Sequence, residues 1–113
     1  MKIYHNTRCS KSRQGFQILE GSGQDFEVVD YLNNPPSVKE LKDILKMLDF
    51  TPIQLVRKNE AIWKEQYKNK NLSDDAIIKA MIAHPKLIER PIVIKGNKAV
   101  LGRPPENIIE LIS

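Results

Sequence analysis

A strand, a helix and a second strand follow one another within the first 31 residues, and this order constrains the fold more than any other feature. Residues 2–5 and 26–31 are short runs rich in β-branched and aromatic side chains, whereas residues 10–20 have the apolar spacing of a helix. Two strands joined by a crossover helix pair in parallel within one sheet. The chain is therefore predicted to begin with a βαβ unit whose helix starts directly after Cys9.

The middle of the chain carries mainly helical signals. Ser37 and Glu40 have the spacing of a capping box, and the apolar residues that follow recur on one face of a helix over residues 38–48. A second helix is predicted over residues 59–67. A third is predicted to start at Ser73 and to end or kink at Pro85, because proline lacks the N–H group that a helix interior needs.

Two strands and a helix are predicted to close the chain. Residues 91–95 and 98–101 are β-rich runs separated by Gly96 and Asn97, the two-residue signal of an antiparallel hairpin with a type II′ turn. Pro104 then opens a last helix. Four of its residues are expected to face inward: Ile108, Ile109, Leu111 and Ile112. The predicted order is βαβ, helices, ββα, in an α/β protein of one domain, residues 1–113.

Composition and charge exclude several classes of protein. The chain has 113 residues, 41% of them hydrophobic, which suits one modest core. The net charge of +4 is a mild excess, and the basic cluster at residues 64–71 is interpreted as a solvated helix end, so we expect no nucleic-acid partner. No apolar run could span a bilayer, and no residues have metal-ligand spacing. We expect a cytoplasmic monomer with no membrane contact, no metal and no tightly bound cofactor.

Cys9 is the single cysteine and the most reactive side chain that the sequence offers. At the start of a helix, unpaired backbone N–H groups and the positive end of the helix dipole favour the thiolate, which is the nucleophilic form. Arg8, Lys11 and Arg13 bring further positive charge. We therefore predict a lowered pKa for Cys9, with His5 as a candidate base or charge beside it.

Ser12 stands where a dithiol oxidoreductase has its second cysteine, which gives Cys-x-x-Ser from Cys9 to Ser12. The protein cannot close a disulfide of its own, so a covalent adduct on Cys9 must be resolved by a thiol from another molecule. A small thiol such as glutathione is the natural partner. Two roles remain open for Ser12, a hydrogen bond to the thiolate and local capping of the helix.

Three motifs together resemble the glutaredoxin-coupled arsenate reductase family: His5-Asn6-x-x-Cys9-x-x-Ser12-Arg13, Glu89-Arg90-Pro91-Ile92-Val93 and Leu101-Gly102-Arg103-Pro104. The resemblance covers essentially the whole chain. It implies a thioredoxin-like fold, α/β with a mixed four-stranded sheet, and a helical insertion over about residues 37–88 between the βαβ and ββα halves. It also implies a cis peptide bond before Pro91.

The same resemblance implies a reaction in which Cys9 attacks arsenate. Six residues of this sequence match the family's positions around the cysteine: Arg57, Arg90 and Arg103 as ligands of the oxyanion, and His5, Asn6 and Ser12 as groups that support the thiolate. Planar guanidinium forks suit a doubly charged tetrahedral oxyanion. Glutathione is implied as the co-substrate, and glutaredoxin as the protein that regenerates the enzyme.

Two other functions remain open at this point. The first is a glutathione-dependent thiol reductase of the same fold, although disulfide exchange does not need the anion-binding Arg57, Arg90 and Arg103. The second is a redox-sensing transcription regulator that binds RNA polymerase. Such regulators resemble this sequence but commonly use a Cys-x-x-Cys switch, and Ser12 replaces the second cysteine.

Overall fold

The sheet is built from both ends of the chain. The computed structural model describes residues 1–113. Strands β1 (Lys2–Tyr4), β2 (Glu27–Val29), β3 (Ile92–Lys95) and β4 (Lys98–Leu101) form one mixed sheet in the order β2-β1-β3-β4. β1 pairs in parallel with β2 and antiparallel with β3, and β3 pairs antiparallel with β4. The predicted parallel βαβ unit and antiparallel hairpin are confirmed.

Five α-helices accompany the sheet: α1 (Ser10–Gly21), α2 (Val38–Leu48), α3 (Ala61–Gln66), α4 (Asp74–Ala83) and α5 (Glu106–Ile112). Short 3-10 helices cover Pro52–Leu55 and Pro85–Leu87. The chain divides into a sheet unit, residues 1–34 and 90–113, and a helical unit, residues 35–89. The predicted description as one domain stays a prediction. No helix of the structure combines the length and the hydropathy of a membrane span.

Side-chain caps explain where the helices of the helical unit begin. The Ser37 hydroxyl accepts the backbone N–H of Glu40 at 3.1 Å, and the Glu40 carboxylate accepts the N–H of Ser37 at 3.4 Å. At the start of α4, the Ser73 hydroxyl accepts the N–H of Ala76 at 3.2 Å. These bonds satisfy backbone donors that have no partner within a helix. The predicted capping box and the predicted start at Ser73 are both confirmed, and α4 ends two residues before Pro85.

The structure corrects two details of the sequence-based description. β2 covers three residues instead of the predicted 26–31, because the neighbouring β1 offers only three residues with which to pair. The predicted inward orientation of Ile109 is wrong, since its side chain is 49% exposed whereas Ile108 is fully buried. Adjacent helix residues point about 100° apart, so a helix that packs on one side buries only one of the two.

The core of the sheet unit is centred on four fully buried side chains: Ile3, Leu19, Val93 and Ile108. Gly102, directly after β4, lies against this core. A Cβ atom placed on Gly102 would lie 2.7 Å from Cδ1 of Ile108 and 2.7 Å from Cγ of Pro91. Any larger residue would therefore require Ile108, Pro91 or this backbone to shift.

We expect Gly102→Ala to lower the free energy of unfolding by about 1–3 kcal/mol, the usual cost of adding a methyl group to a filled site. Denaturant unfolding followed by circular dichroism measures the change. Gly21→Ala is the matched control, because a Cβ placed there meets no atom within 4 Å beyond its chain neighbours and the backbone of its own helix. Equal stability of the two variants would mean that the chain after β4 is less tightly packed than the structure shows.

Candidate active site

The loop between β1 and α1 holds Cys9 at the N-terminus of the helix. Cys9 has extended backbone angles and is the N-cap of α1. Its N–H donates to the carbonyl of Asn6 at 3.0 Å, and its carbonyl accepts the N–H of Arg13 at 3.0 Å, which is the first turn of the helix. The side-chain oxygen of Asn6 accepts the N–H of Arg8, also at 3.0 Å. Asn6 therefore fixes the course of the backbone that leads to Cys9.

The pKa of Cys9 is set by opposing effects. Burial raises the pKa, but the backbone N–H of Ser12, the Arg90 guanidinium and the backbone N–H of Lys11 together lower it to about 7. The N–H groups of Ser12 and Lys11 stabilise the charge on the sulfur, although the Cys9 side chain does not form a capping hydrogen bond. The sequence correctly predicted that the start of the helix lowers the pKa of Cys9. The positively charged side chains that it indicated beside the thiol were the wrong ones. The cation that acts is Arg90, whereas Arg8 is exposed and the Arg13 guanidinium donates to the carbonyl of Thr7.

Because only the thiolate is alkylated, we expect the rate of Cys9 alkylation by iodoacetamide to rise with pH through a midpoint of about 7. Below this pH the thiol is protonated and the rate falls. Mass spectrometry of the single cysteine, sampled over time at each pH, gives the profile. A short neutral peptide with one cysteine and blocked ends is the reference, with a midpoint near the ordinary value of ~8.5. The same midpoint in the protein would show that its thiol is not activated.

Arg90 and Arg103 come together at the sulfur. The Nη2 of Arg103 lies 3.7 Å from Sγ of Cys9, and its Nε donates to the backbone carbonyl of Arg90 at 2.9 Å. The peptide bonds Arg90–Pro91 and Arg103–Pro104 are both cis. The resemblance implied the first of these, and the second was not predicted. Two of the three predicted arginines are thus neighbours of the nucleophile.

One donor of Arg90 is left without a partner. Its Nε is buried and makes no hydrogen bond, although the guanidinium acts on the Cys9 thiolate. Buried polar groups are nearly always paired, so an unpaired one calls for an explanation. The guanidinium group as a whole lies beside the thiolate, and together with Arg103 it suits the binding of an oxyanion.

His5 and Ser12 form a buried hydrogen-bonded pair beneath the loop. The Nδ1 of His5 lies 2.6 Å from Oγ of Ser12, and the same oxygen accepts the N–H of Asn6 at 2.9 Å. Burial, followed by the positive charge of Arg13, lowers the pKa of His5, so the ring is neutral at pH 7. The Ser12 side chain thus contacts His5 and Asn6, while its backbone N–H acts on Cys9. The Ser12 side chain therefore makes neither of the two contacts considered from the sequence, a hydrogen bond to the thiolate or a cap of the helix, and its support of the thiolate stays a prediction.

Arg57 lies in the helical unit between two carboxylates. Its Nη1 is 2.7 Å from Oε1 of Glu60, and its Nε is 3.7 Å from Oε1 of Glu89. The backbone supports this arrangement, because the N–H of Arg57 donates to the carbonyl of Leu87 at 2.7 Å. The part of Arg57 in binding an oxyanion stays a prediction. Sequence reasoning missed both carboxylates, although Glu60 is three residues after Arg57, a common spacing for ion pairs.

Asn107 is a further residue that sequence reasoning missed. Its side-chain amide donates to the carbonyl of Leu101 at 3.0 Å and to the carbonyl of Arg103 at 3.4 Å. These bonds link the start of α5 to the segment that carries Arg103. The only sequence signal that could have indicated Asn107 is that it is a polar residue among the apolar residues of the last helix.

The geometry defines a class of protein. A mixed sheet in the order β2-β1-β3-β4, assembled from βαβ and ββα portions with a cysteine at the start of the first helix, is the thioredoxin-like fold. The chain belongs to the ArsC family, whose family model matches residues 4–111. In the described structure no group of three or more His, Cys, Asp or Glu residues is placed to hold a metal ion.

Relatives match nearly the whole chain. An arsenate reductase of Neisseria meningitidis is 46% identical over 110 residues, which cover 96% of this chain and 94% of the relative. The Escherichia coli K12 protein YfgD, named as uncharacterized, is 45% identical over 99% of this chain and 96% of its own length. Among solved structures, an arsenate reductase from Vibrio cholerae has a TM-score of 0.90 and 45% identity, and the match covers 97% of both chains.

Proposed function

We propose that the protein is an arsenate reductase. The observation that carries this proposal is the convergence of Arg90 and Arg103 on a thiolate whose pKa is about 7. A nucleophile that is ionised near neutral pH, with two guanidinium groups beside it, suits attack on an oxyanion. Family membership and the relatives named as arsenate reductases support the same activity.

The first step forms a bond between sulfur and arsenic. The Cys9 thiolate attacks arsenic(V), and one arsenate oxygen leaves as water after taking up protons from the solvent. Arg90 and Arg103 hold the remaining oxygens and offset the charge that gathers on them. Arg57 is the third proposed ligand of the oxyanion. His5, Asn6 and Ser12 hold the loop, and the N–H groups of Ser12 and Lys11 stabilise the thiolate before attack.

The second step transfers two electrons to arsenic. The glutathione sulfur attacks the Cys9 sulfur, so that an S–S bond forms and arsenic keeps the electron pair of the broken S–As bond. The products are arsenite and a mixed disulfide between Cys9 and glutathione. A glutaredoxin thiol then reduces this disulfide and restores Cys9. An outside thiol is required because the chain has one cysteine.

The alternative is a glutathione-dependent thiol reductase with no use for arsenate. The activated thiolate alone would suffice for that reaction, since disulfide exchange needs a reactive thiol and a suitable leaving group. It gives no role to the two guanidinium groups beside the sulfur, those of Arg90 and Arg103. Arsenate reduction uses the thiolate and both arginines.

An NADPH oxidation assay tests the proposal. Purified protein is mixed with arsenate, glutathione, glutathione reductase and glutaredoxin, and each component is omitted in turn. We expect NADPH oxidation to require arsenate, the protein, glutathione and glutaredoxin. Oxidation that depends on the protein but needs neither arsenate nor glutaredoxin, when a glutathione mixed disulfide is supplied, would favour the thiol reductase. If thioredoxin with thioredoxin reductase replaced glutaredoxin fully, the proposed electron donor would be wrong while the reductase activity stood.

Asn107 provides a test of how Arg103 is positioned. We expect Asn107→Ala to lower kcat/KM for arsenate about twofold to tenfold, because a neutral hydrogen bond contributes about 0.5–1.5 kcal/mol. Steady-state kinetics measure the loss. Asn71→Ala, at an exposed position of the helical unit, is the control and should leave kcat/KM unchanged. No difference between the two variants would show that Arg103 needs no support from α5.

A further inference from the structure

The basic cluster at residues 64–71 does not simply extend a helix into solvent. α3 ends at Gln66, and the chain then turns back on itself. The N–H of Lys68 donates to the carbonyl of Trp63 at 2.9 Å, and the N–H of Lys70 donates to the carbonyl of Tyr67 at 3.1 Å. The turn gathers the basic side chains of this segment around a cleft of about 660 Å³ in the helical unit.

The charged residues of this cleft are predominantly basic: Lys58, Lys64, Lys68 and Lys70, with Asp74 as the one acid. All four lysines are exposed, and none of them forms an ion pair, whereas the ion pairs of the helical unit use Lys42 and Arg57. Four lysines and one aspartate give the lining a net charge of +3. A cleft lined by charges of one sign attracts ligands of the opposite sign.

The remainder of the lining is mostly apolar. Ile53, Trp63, Leu72 and Ile77 contribute to it, and the Trp63 side chain is only 6% exposed. Trp63 is held by the ring of Tyr67, which stacks on it with centroids 5.5 Å apart and 25° between the planes. Small-molecule sites typically have volumes of ~300–1,000 Å³ and combine an apolar surface with a few convergent polar groups. The cleft has this size and this combination.

We propose that this cleft binds a small organic anion that carries a planar apolar ring and a phosphate or carboxylate group. The apolar surface receives the ring, and the lysine ammonium groups bind the anionic group as mobile point charges. Asp74 disfavours a ligand that is negative along its whole length, such as an acidic peptide. The site uses none of the residues around Cys9 and does not depend on arsenate reduction.

Trp63 provides the readout, because it is the only tryptophan in the chain. Its indole N–H gives one signal in a ¹H–¹⁵N NMR spectrum. The probes are phenyl phosphate, benzoate and uncharged benzyl alcohol. We expect phenyl phosphate or benzoate to shift the indole signal saturably, more weakly at high salt, and benzyl alcohol to shift it little. The tighter of the two anions identifies the preferred anionic group.

A double variant tests whether the lysines are responsible. We expect Lys68→Gln with Lys70→Gln to raise the Kd of the tighter probe about threefold to tenfold, as for the loss of two exposed charge contacts. Lys79→Gln, on α4 and outside the cleft lining, is the matched control. The proposal is overturned if neither anion shifts the indole signal, if benzyl alcohol binds as well as the anions, or if the double variant retains the original Kd. Tighter binding of hexaglutamate than of either probe would also overturn it.

Discussion

Replacing Cys9 with serine is expected to lower arsenate turnover by about a thousandfold or more. A serine hydroxyl is not ionised at neutral pH, so the helix N–H groups and Arg90 have no thiolate to stabilise. The measurement is steady-state NADPH oxidation in the coupled assay, with arsenite quantified separately. Arsenate reduction that persisted in a clean preparation of Cys9→Ser would remove the covalent mechanism.

Two controls separate lost chemistry from lost structure in that experiment. Serine is close to cysteine in size, so circular dichroism and the denaturant midpoint of Cys9→Ser should match those of the parent protein. Ser10→Ala alters the adjacent exposed residue of the same helix and should retain arsenate turnover within about twofold, since surface substitutions usually have small effects.

Lysine in place of the predicted oxyanion ligands is expected to lower kcat/KM for arsenate by about one to two orders of magnitude. Lysine keeps the positive charge but loses the bidentate fork, and charge-assisted hydrogen bonds contribute about 1.5–3 kcal/mol each. The variants are Arg57→Lys, Arg90→Lys and Arg103→Lys. Arg103→Lys should show the largest effect of the three, because it also loses the hydrogen bond to the Arg90 carbonyl.

The same variants distinguish arsenate reduction from thiol exchange. Reduction of a glutathione mixed disulfide requires the thiolate and no bound oxyanion, so Arg57→Lys and Arg103→Lys should retain most of any such activity. Arg90→Lys can also change the ionisation of the thiol, because Arg90 lowers the pKa of Cys9. The rates of this variant are therefore compared with those of the parent protein at a pH above 8, where the thiol is ionised. If all three variants kept arsenate kinetics within twofold of the parent protein, the proposed oxyanion site would be misplaced.

Much of the fold could be predicted because its signals are local. The βαβ order, the capping box of Ser37 and Glu40 and the Gly96-Asn97 turn each depend on neighbouring residues, and Gly96 has the positive φ of 63° that the turn needs. The predicted inward orientation of Ile109 was wrong, because apolar character alone does not show which side of a short helix packs on the sheet.

The site was harder to predict because its contacts join distant parts of the chain. Local charge indicated Arg8, Lys11 and Arg13, whereas the side chain that acts on Cys9 is Arg90. Arg90 and Arg103 entered the prediction through the family resemblance and not through spacing. The contact of the Ser12 side chain is with His5, directly after β1, and could not be predicted from the helix alone. The contacts of Asn107 likewise depend on where α5 meets the segment after β4.

The assembly of the sheet from both ends of the chain has a consequence for biosynthesis. β1 is made first but pairs with β3, so most of the chain must be synthesised before that pairing can form. Contacts between residues far apart in sequence form slowly, and a nascent chain carries unpaired strand edges until they do. Cys9 therefore leaves the ribosome long before Arg90 and Arg103. During that interval its thiol lacks the Arg90 guanidinium, one of the groups that lower its pKa in the folded protein.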